Sequence, residues 1–137
     1  MPLRTLIVED DADLRRIMRV SLEKRGHSVA AEVERGDDPH IARVVADVAV
    51  VDLGLPGKSG VEVIRALRDR NVPVLVLSSS AHSAAVTEAL LAGALGYVVK
   101  GARLNEVIDA LELVAARKQV IPRTKTPPVT PTRAGPR

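Results

Sequence analysis

Apolar and polar positions change their period along this chain in a regular way. Leu3 to Val8 is a short apolar run that ends in Glu9-Asp10-Asp11. The next stretch takes helical spacing, with Leu14, Ile17, Met18 and Leu22 on one face, acids Asp11 and Asp13 at its start, and Gly26 as the stop. Val29 to Val33 predicts a second strand, and Pro39 can open a short second helix carrying Ile41, Val44 and Val45. Val48 to Val51 predicts a third strand, and an uninterrupted Val/Ala run of this kind suits a parallel sheet covered on both faces. Ser59 can cap a third helix with Val61, Val63, Ile64 and Leu67, which Asn71 ends. Val74 to Leu77 is a fourth strand running into three serines, and an alanine-rich fourth helix covers residues 83–92 and stops at Gly93. Tyr97 to Val99 is a fifth strand ending at Lys100. A fifth helix follows, with Leu104, Val107, Ile108, Leu111, Val114 and Ala115 at three- and four-residue steps. Strands and helices alternate five times with short connections, which predicts an α/β fold with a doubly wound parallel sheet.

Composition narrows the chemistry. Apolar residues make up 46% of the 137, but aromatics only 1%, so the core is aliphatic and Tyr97 is a singular residue. The absence of cysteine excludes disulfides, thiolate catalysis and thiolate-bound zinc. No signal-peptide pattern and no apolar run of about 20 residues occurs, so a cytoplasmic protein is expected. The net charge of +3 suggests nucleic acid at first sight, yet Arg123, Lys125, Arg133 and Arg137 carry it. Without them 16 basic residues face 17 acidic ones. The domain is therefore expected over residues 1–121, with 122–137 as a disordered Pro/Arg-rich tail or linker.

In a parallel sheet the strands' carboxyl ends share one rim, where open α/β folds place their sites. That rim would gather Glu9, Asp10, Asp52, Ser78 and Lys100. Clustered carboxylates repel unless a cation intervenes, and a hard ion such as Mg²⁺ or Mn²⁺ suits such oxygen donors. An ion of that kind also binds phosphate, and Lys100 with the Ser78 hydroxyl would take the remaining phosphoryl oxygens. Asp52 is then the natural nucleophile, forming an acyl phosphate.

Four pieces carry a family likeness: Leu6-Ile7-Val8-Glu9-Asp10, Val51-Asp52-Leu53-Gly54-Leu55-Pro56-Gly57-Lys58-Ser59-Gly60, Val76-Leu77-Ser78, and Gly93-Ala94-Leu95-Gly96-Tyr97-Val98-Val99-Lys100. Together they resemble the receiver domain of bacterial two-component response regulators, over residues 3 to about 120. The resemblance implies a flavodoxin-like sheet of order 2-1-3-4-5 with five helices. It implies that Asp52 accepts a phosphoryl group from a histidine kinase or phosphotransfer protein, with Mg²⁺ held by Glu9, Asp10, Asp52 and the Gly54 carbonyl. Ser78 would be the switch hydroxyl and Tyr97 the aromatic switch that turns inward on phosphorylation. The fourth helix, fifth strand and fifth helix would form the responsive surface, for a partner or a homodimer. Such a protein is not an enzyme in the ordinary sense, since it catalyses only its own phosphorylation and dephosphorylation. The Arg15-Arg16-Ile17 run sets the register, making Glu9 and Asp10 the acidic pair and Asp11 a helix-start acid. Lys100-Gly101 is similar to the LuxR-type subgroup, whose members usually carry a helix-turn-helix.

No helical pattern for such an output domain follows here, so a stand-alone receiver is expected. The alternative is the receiver of a DNA-binding regulator whose output domain lies outside this sequence, the one case in which nucleic acid enters. A Mg²⁺-dependent phosphohydrolase would want an acid two residues after the nucleophile, where Gly54 stands. His27, His40 and His82 show no ligand spacing and are expected at the surface, and no nucleophile-elbow motif supports a hydrolase triad.

Overall fold

A computed structural model of the chain describes residues 2–122, so the expected tail, apart from Pro122, lies outside the described residues. Five parallel strands, β1 (Arg4–Val8), β2 (Ser28–Val33), β3 (Val48–Asp52), β4 (Val74–Ser78) and β5 (Gly96–Val99), form one sheet of order β2-β1-β3-β4-β5. Four α-helices cover it: α1 (Ala12–Lys24), α2 (Gly60–Asp69), α3 (Ser83–Ala92) and α4 (Leu104–Ala115).

The period-2 alternation of strand side chains divides the core in two. Leu6, Val8, Ala49, Val51, Val74, Val76 and Tyr97 face α2 and α3, where Val63, Ile64, Leu67, Val86 and Ala89 meet them. Ile7, Val48, Val50, Leu75 and Leu77 face α1 and α4, against Met18, Leu22, Val107, Ile108, Leu111 and Val114. β3 and β4 are buried at every position, as their unbroken apolar runs require. The helix ends follow the expected signals. Asp11 caps α1, Ser59 closes a capping box with Glu62 on α2, and Gly93 ends α3 in the left-handed conformation, φ 118°.

The expected second helix is absent among the described residues; Pro39–Ala42 makes a single 3₁₀ turn instead. The Arg70 guanidinium takes the Ile41 carbonyl at 2.7 Å and the Val44 carbonyl at 2.8 Å, groups that a longer helix would bond internally. Val45, expected on its apolar face, is 63% exposed. Ile17 also departs from expectation at 49% exposed, because the buried stripe of α1 runs through Met18 and Leu22, about 100° around the helix. After α4 the chain turns back along the outer edge of β5. There the Tyr97 N–H donates to the Val120 carbonyl at 2.9 Å and the Val120 N–H to the Leu95 carbonyl at 3.1 Å.

The β3–α2 connection is a tight joint near the rim. A Cβ on Gly60 would lie 2.6 Å from the Leu53 Cα and 3.0 Å from the Asp52 carbonyl oxygen, both backbone atoms that cannot step aside. Gly60→Ala is therefore expected to cost about 1–3 kcal/mol. Ser59→Ala, which only removes the cap, costs about 1 kcal/mol. Urea denaturation of both variants checks this order.

Candidate functional site

Sheet register sets the strand ends level. Val8 of β1 pairs with Val51 of β3, Asp52 with Leu77 of β4, and Ser78 with Val99 of β5. The residues at or just beyond those ends therefore emerge on one rim. Carboxylate oxygens of Glu9, Asp10 and Asp52 lie within 4.8 Å of one another. The Lys100 Nζ stands 3.2 Å from Asp52 Oδ2 and 3.2 Å from Glu9 Oε1, one ammonium shared by two carboxylates. Asp52 Oδ1 accepts the Gly54 N–H at 3.0 Å.

Exposure differs sharply across the cluster. Glu9 is 1% exposed and Asp52 6%, whereas Asp10 is open to solvent. Burial pushes the Glu9 carboxyl from its ordinary 4.5 up to about 7, helped by the Asp52 charge and opposed by the Asp11 N–H and Lys100. Hydrogen bonding with the Glu9 carboxyl holds Asp10 below its usual range. For Lys100, burial works to lower the pKa, but the bonds and charges of Asp52 and Glu9 outweigh it and keep the ammonium above its ordinary value.

The donor set fits a hard divalent cation. Three carboxylates converge, and Glu9 Oε1 is buried without a hydrogen bond, its ion pair with Lys100 excepted. Such an oxygen is costly to leave unpaired and offers itself as a ligand.

Ser78 and Tyr97 are linked through Ser80, the last of the three serines that begin with Ser78 at the end of β4. The Ser80 N–H donates to Ser78 Oγ at 3.2 Å, and the Tyr97 hydroxyl donates to the Ser80 carbonyl at 2.6 Å. Tyr97 is fully buried, so its side chain already points inward in this structure. Ser80 acts here through its backbone, which leaves no mark in residue type. His27 is a second correction. It is 8% exposed rather than superficial, with Nδ1 accepting the Leu3 N–H at 3.0 Å and Nε2 2.7 Å from Glu112 Oε2.

The response regulator receiver domain family matches residues 5–112, most of the chain. The chain belongs to that family. Receivers are not a classical enzyme family, and no described helix is long and apolar enough to cross a membrane. The virulence transcriptional regulatory protein PhoP of Salmonella typhimurium is 39% identical over 118 residues, which cover 84% of this chain and 53% of that protein. The transcriptional regulatory protein PhoP of Escherichia coli is 36% identical over the same shares. The chain spans about half the length of these curated relatives. Among solved structures, a LuxR-family two-component response regulator from an Aurantimonas species superposes with a TM-score of 0.81 at 30% identity, covering 88% of this chain and 89% of that one. The receiver domain of the putative response regulator NarL of Mycobacterium tuberculosis does so at 0.74 and 27%, covering 84% and 97%. Receiver membership implies interaction with a histidine kinase or phosphotransfer partner.

A pH dependence follows from Glu9. Folding raises its pKa, so the native state holds this proton more tightly than the unfolded chain, and stability falls as pH rises from 4.5 to about 7. In chelator, Glu9→Gln should match wild type near about pH 4 and exceed it near about pH 8 in urea midpoint. Equal midpoints at both pH values would contradict the raised pKa.

Proposed function

We propose that Asp52 is the phosphoacceptor of this receiver and that Mg²⁺, or Mn²⁺ in its place, binds at Glu9, Asp10, Asp52 and the Gly54 carbonyl. The single observation that supports the reading most is Lys100 poised between Asp52 and Glu9, 3.2 Å from each. When bound, the cation supplies charge neutralisation for a phosphoryl group. The remaining work falls to side chains. Asp52 Oδ2 attacks the phosphorus of a phosphohistidine, the P–N bond breaks, and the histidine leaves with its electron pair. Lys100 then turns its ammonium from the carboxylate to a phosphoryl oxygen. Gly54 holds Oδ1 and so aims the attacking atom.

The Ser78 hydroxyl, leaving the Ser80 N–H for a phosphoryl oxygen, would alter the Ser78–Ser80–Tyr97 chain and with it the α3–β5–α4 surface. Tyr97 begins from an inward position, so the switch consists in stabilising that position rather than creating it. That surface receives a partner or a second copy. The receiver unit is taken as residues 1–121 and the tail as a linker or terminus, in a cytoplasmic signalling protein.

A second reading concerns output only. Because the chain spans about half the length of transcriptional regulators it matches, it can be the receiver of a DNA-binding protein.

Incubation with Mg²⁺ and a small phosphodonor, followed by intact mass, tests the proposal. Wild type should gain one phosphoryl group and Asp52→Asn none. Lys100→Ala should slow uptake by about 10²–10³-fold, the usual loss for a donor aimed at developing charge. No gain in wild type would sink the proposal, and steady turnover of a phosphate ester would favour a phosphohydrolase.

A further inference from the structure

Arg15 lies on the first turns of α1 with its side chain 16% exposed, and it reaches over the end of β1. Its Nη1 donates to the main-chain carbonyl of Glu9 at 2.7 Å. Its Nε stands 3.7 Å from Glu32 Oε1, and Nη2 is 3.9 Å from Glu34 Oε2, both acids at the end of β2. Arg19 pairs with the other oxygen of Glu32. One guanidinium thus joins α1, β1 and β2 at the corner that carries the acidic pair.

We infer that Arg15 is a positioning residue for that pair, setting the direction in which Glu9 and Asp10 present their carboxylates to a divalent cation. The inference rests on the phosphoacceptor reading above. Glu9 is almost completely tied. Its N–H donates to the Val33 carbonyl at 3.0 Å, its carbonyl accepts Arg15, and its Oε2 accepts the Asp11 N–H at 3.0 Å. Oε1 alone accepts no hydrogen bond. Of these three hydrogen bonds, two are made by backbone groups of other residues, so Arg15 makes the one that a substitution removes; the Lys100 ion pair holds Oε1 but does not touch the peptide unit. Its bond is short and charge-assisted, the stronger kind. The Glu9 carbonyl shares a planar unit with the Asp10 N–H, so holding one sets the direction in which Asp10 leaves β1. Asp10 is exposed, and besides that peptide plane its carboxyl is held by hydrogen bonding with Glu9. Arg15 acts on both acids through a single atom.

Calorimetric titration with Mg²⁺ of wild type, Arg15→Met, Arg15→Lys and Arg19→Met tests this, with urea midpoints measured alongside. Arg15→Met should weaken Mg²⁺ binding by about 10-fold or more, the usual loss when a group that orients a ligand is removed. The Mg²⁺ concentration for half-maximal phosphoryl uptake should rise with it, while the rate at saturating Mg²⁺ stays near wild type. Arg15→Lys should fall between the two, because an ammonium keeps the charge but not the reach to Glu9 and Glu32 together. Arg19→Met breaks the other Glu32 pair, leaves the Glu9 carbonyl untouched, and should bind Mg²⁺ as wild type does. Wild-type affinity in Arg15→Met overturns the inference and leaves the phosphoacceptor reading standing. An equal loss in Arg19→Met also overturns it, by making the effect one of general packing. If Arg15→Met does not fold, wild-type affinity in Arg15→Lys overturns it instead. Failure of wild type to bind Mg²⁺ overturns the reading and the inference together.

Discussion

Like charges crowded at the edge of an aliphatic sheet set the terms for this molecule. Three carboxylates lie within 4.8 Å of one another, two of them buried, and Lys100 serves as counter-ion to both buried ones. One positive charge against three negative ones leaves the rim short of cation. Glu9 answers by holding its proton up to about pH 7, the response of a buried acid without enough counter-charge. A divalent ion would answer the same deficit while keeping all three groups ionised and oxygen-rich. The chemistry of the rim is thus a consequence of incomplete neutralisation.

The rest of the fold serves to hold that deficit in place. Two aliphatic half-cores clamp the sheet from either side, so the strand ends cannot drift apart to relieve repulsion. Gly60 lets α2 start against the backbone of Asp52 and Leu53, and Gly54 anchors one Asp52 oxygen. On the far side of Asp52, Ser78, Ser80 and Tyr97 form a hydrogen-bonded chain from the rim into the sheet's α3 face. Tyr97 also bonds through its N–H to Val120, so the chain leaving α4 is tied to the strand that carries it. A change of charge at the rim therefore meets a short hydrogen-bonded route to β5.

Much of this was legible beforehand because it depends on local pattern. The runs 48–51 and 74–77 are apolar at every position because β3 and β4 are covered on both faces, and the polar residue ending each run marks the rim. Ser59 and Gly93 act as caps for reasons confined to a few neighbours. What escaped depends on distant partners. Residues 39–45 carry a helical pattern, but Arg70, 29 residues beyond Ile41, claims the carbonyl that would extend it. His27 looks like a helix-end residue until Glu112, 85 positions later, is folded against it. Ser80 and the Glu9 carbonyl take part through backbone groups, which every residue type possesses.

The central claim is that Asp52, with one oxygen held by Gly54 and the other facing Lys100, is the attacking group. Its most direct test is reductive trapping of the phosphorylated chain with borohydride, followed by peptide sequencing. Borohydride converts an aspartyl phosphate to homoserine and leaves ordinary carboxylates alone. Homoserine at position 52 and at no other acid is the predicted result. Homoserine at position 10 or 11 instead, or a phosphoryl group that resists reduction because it sits on a serine, would contradict the account.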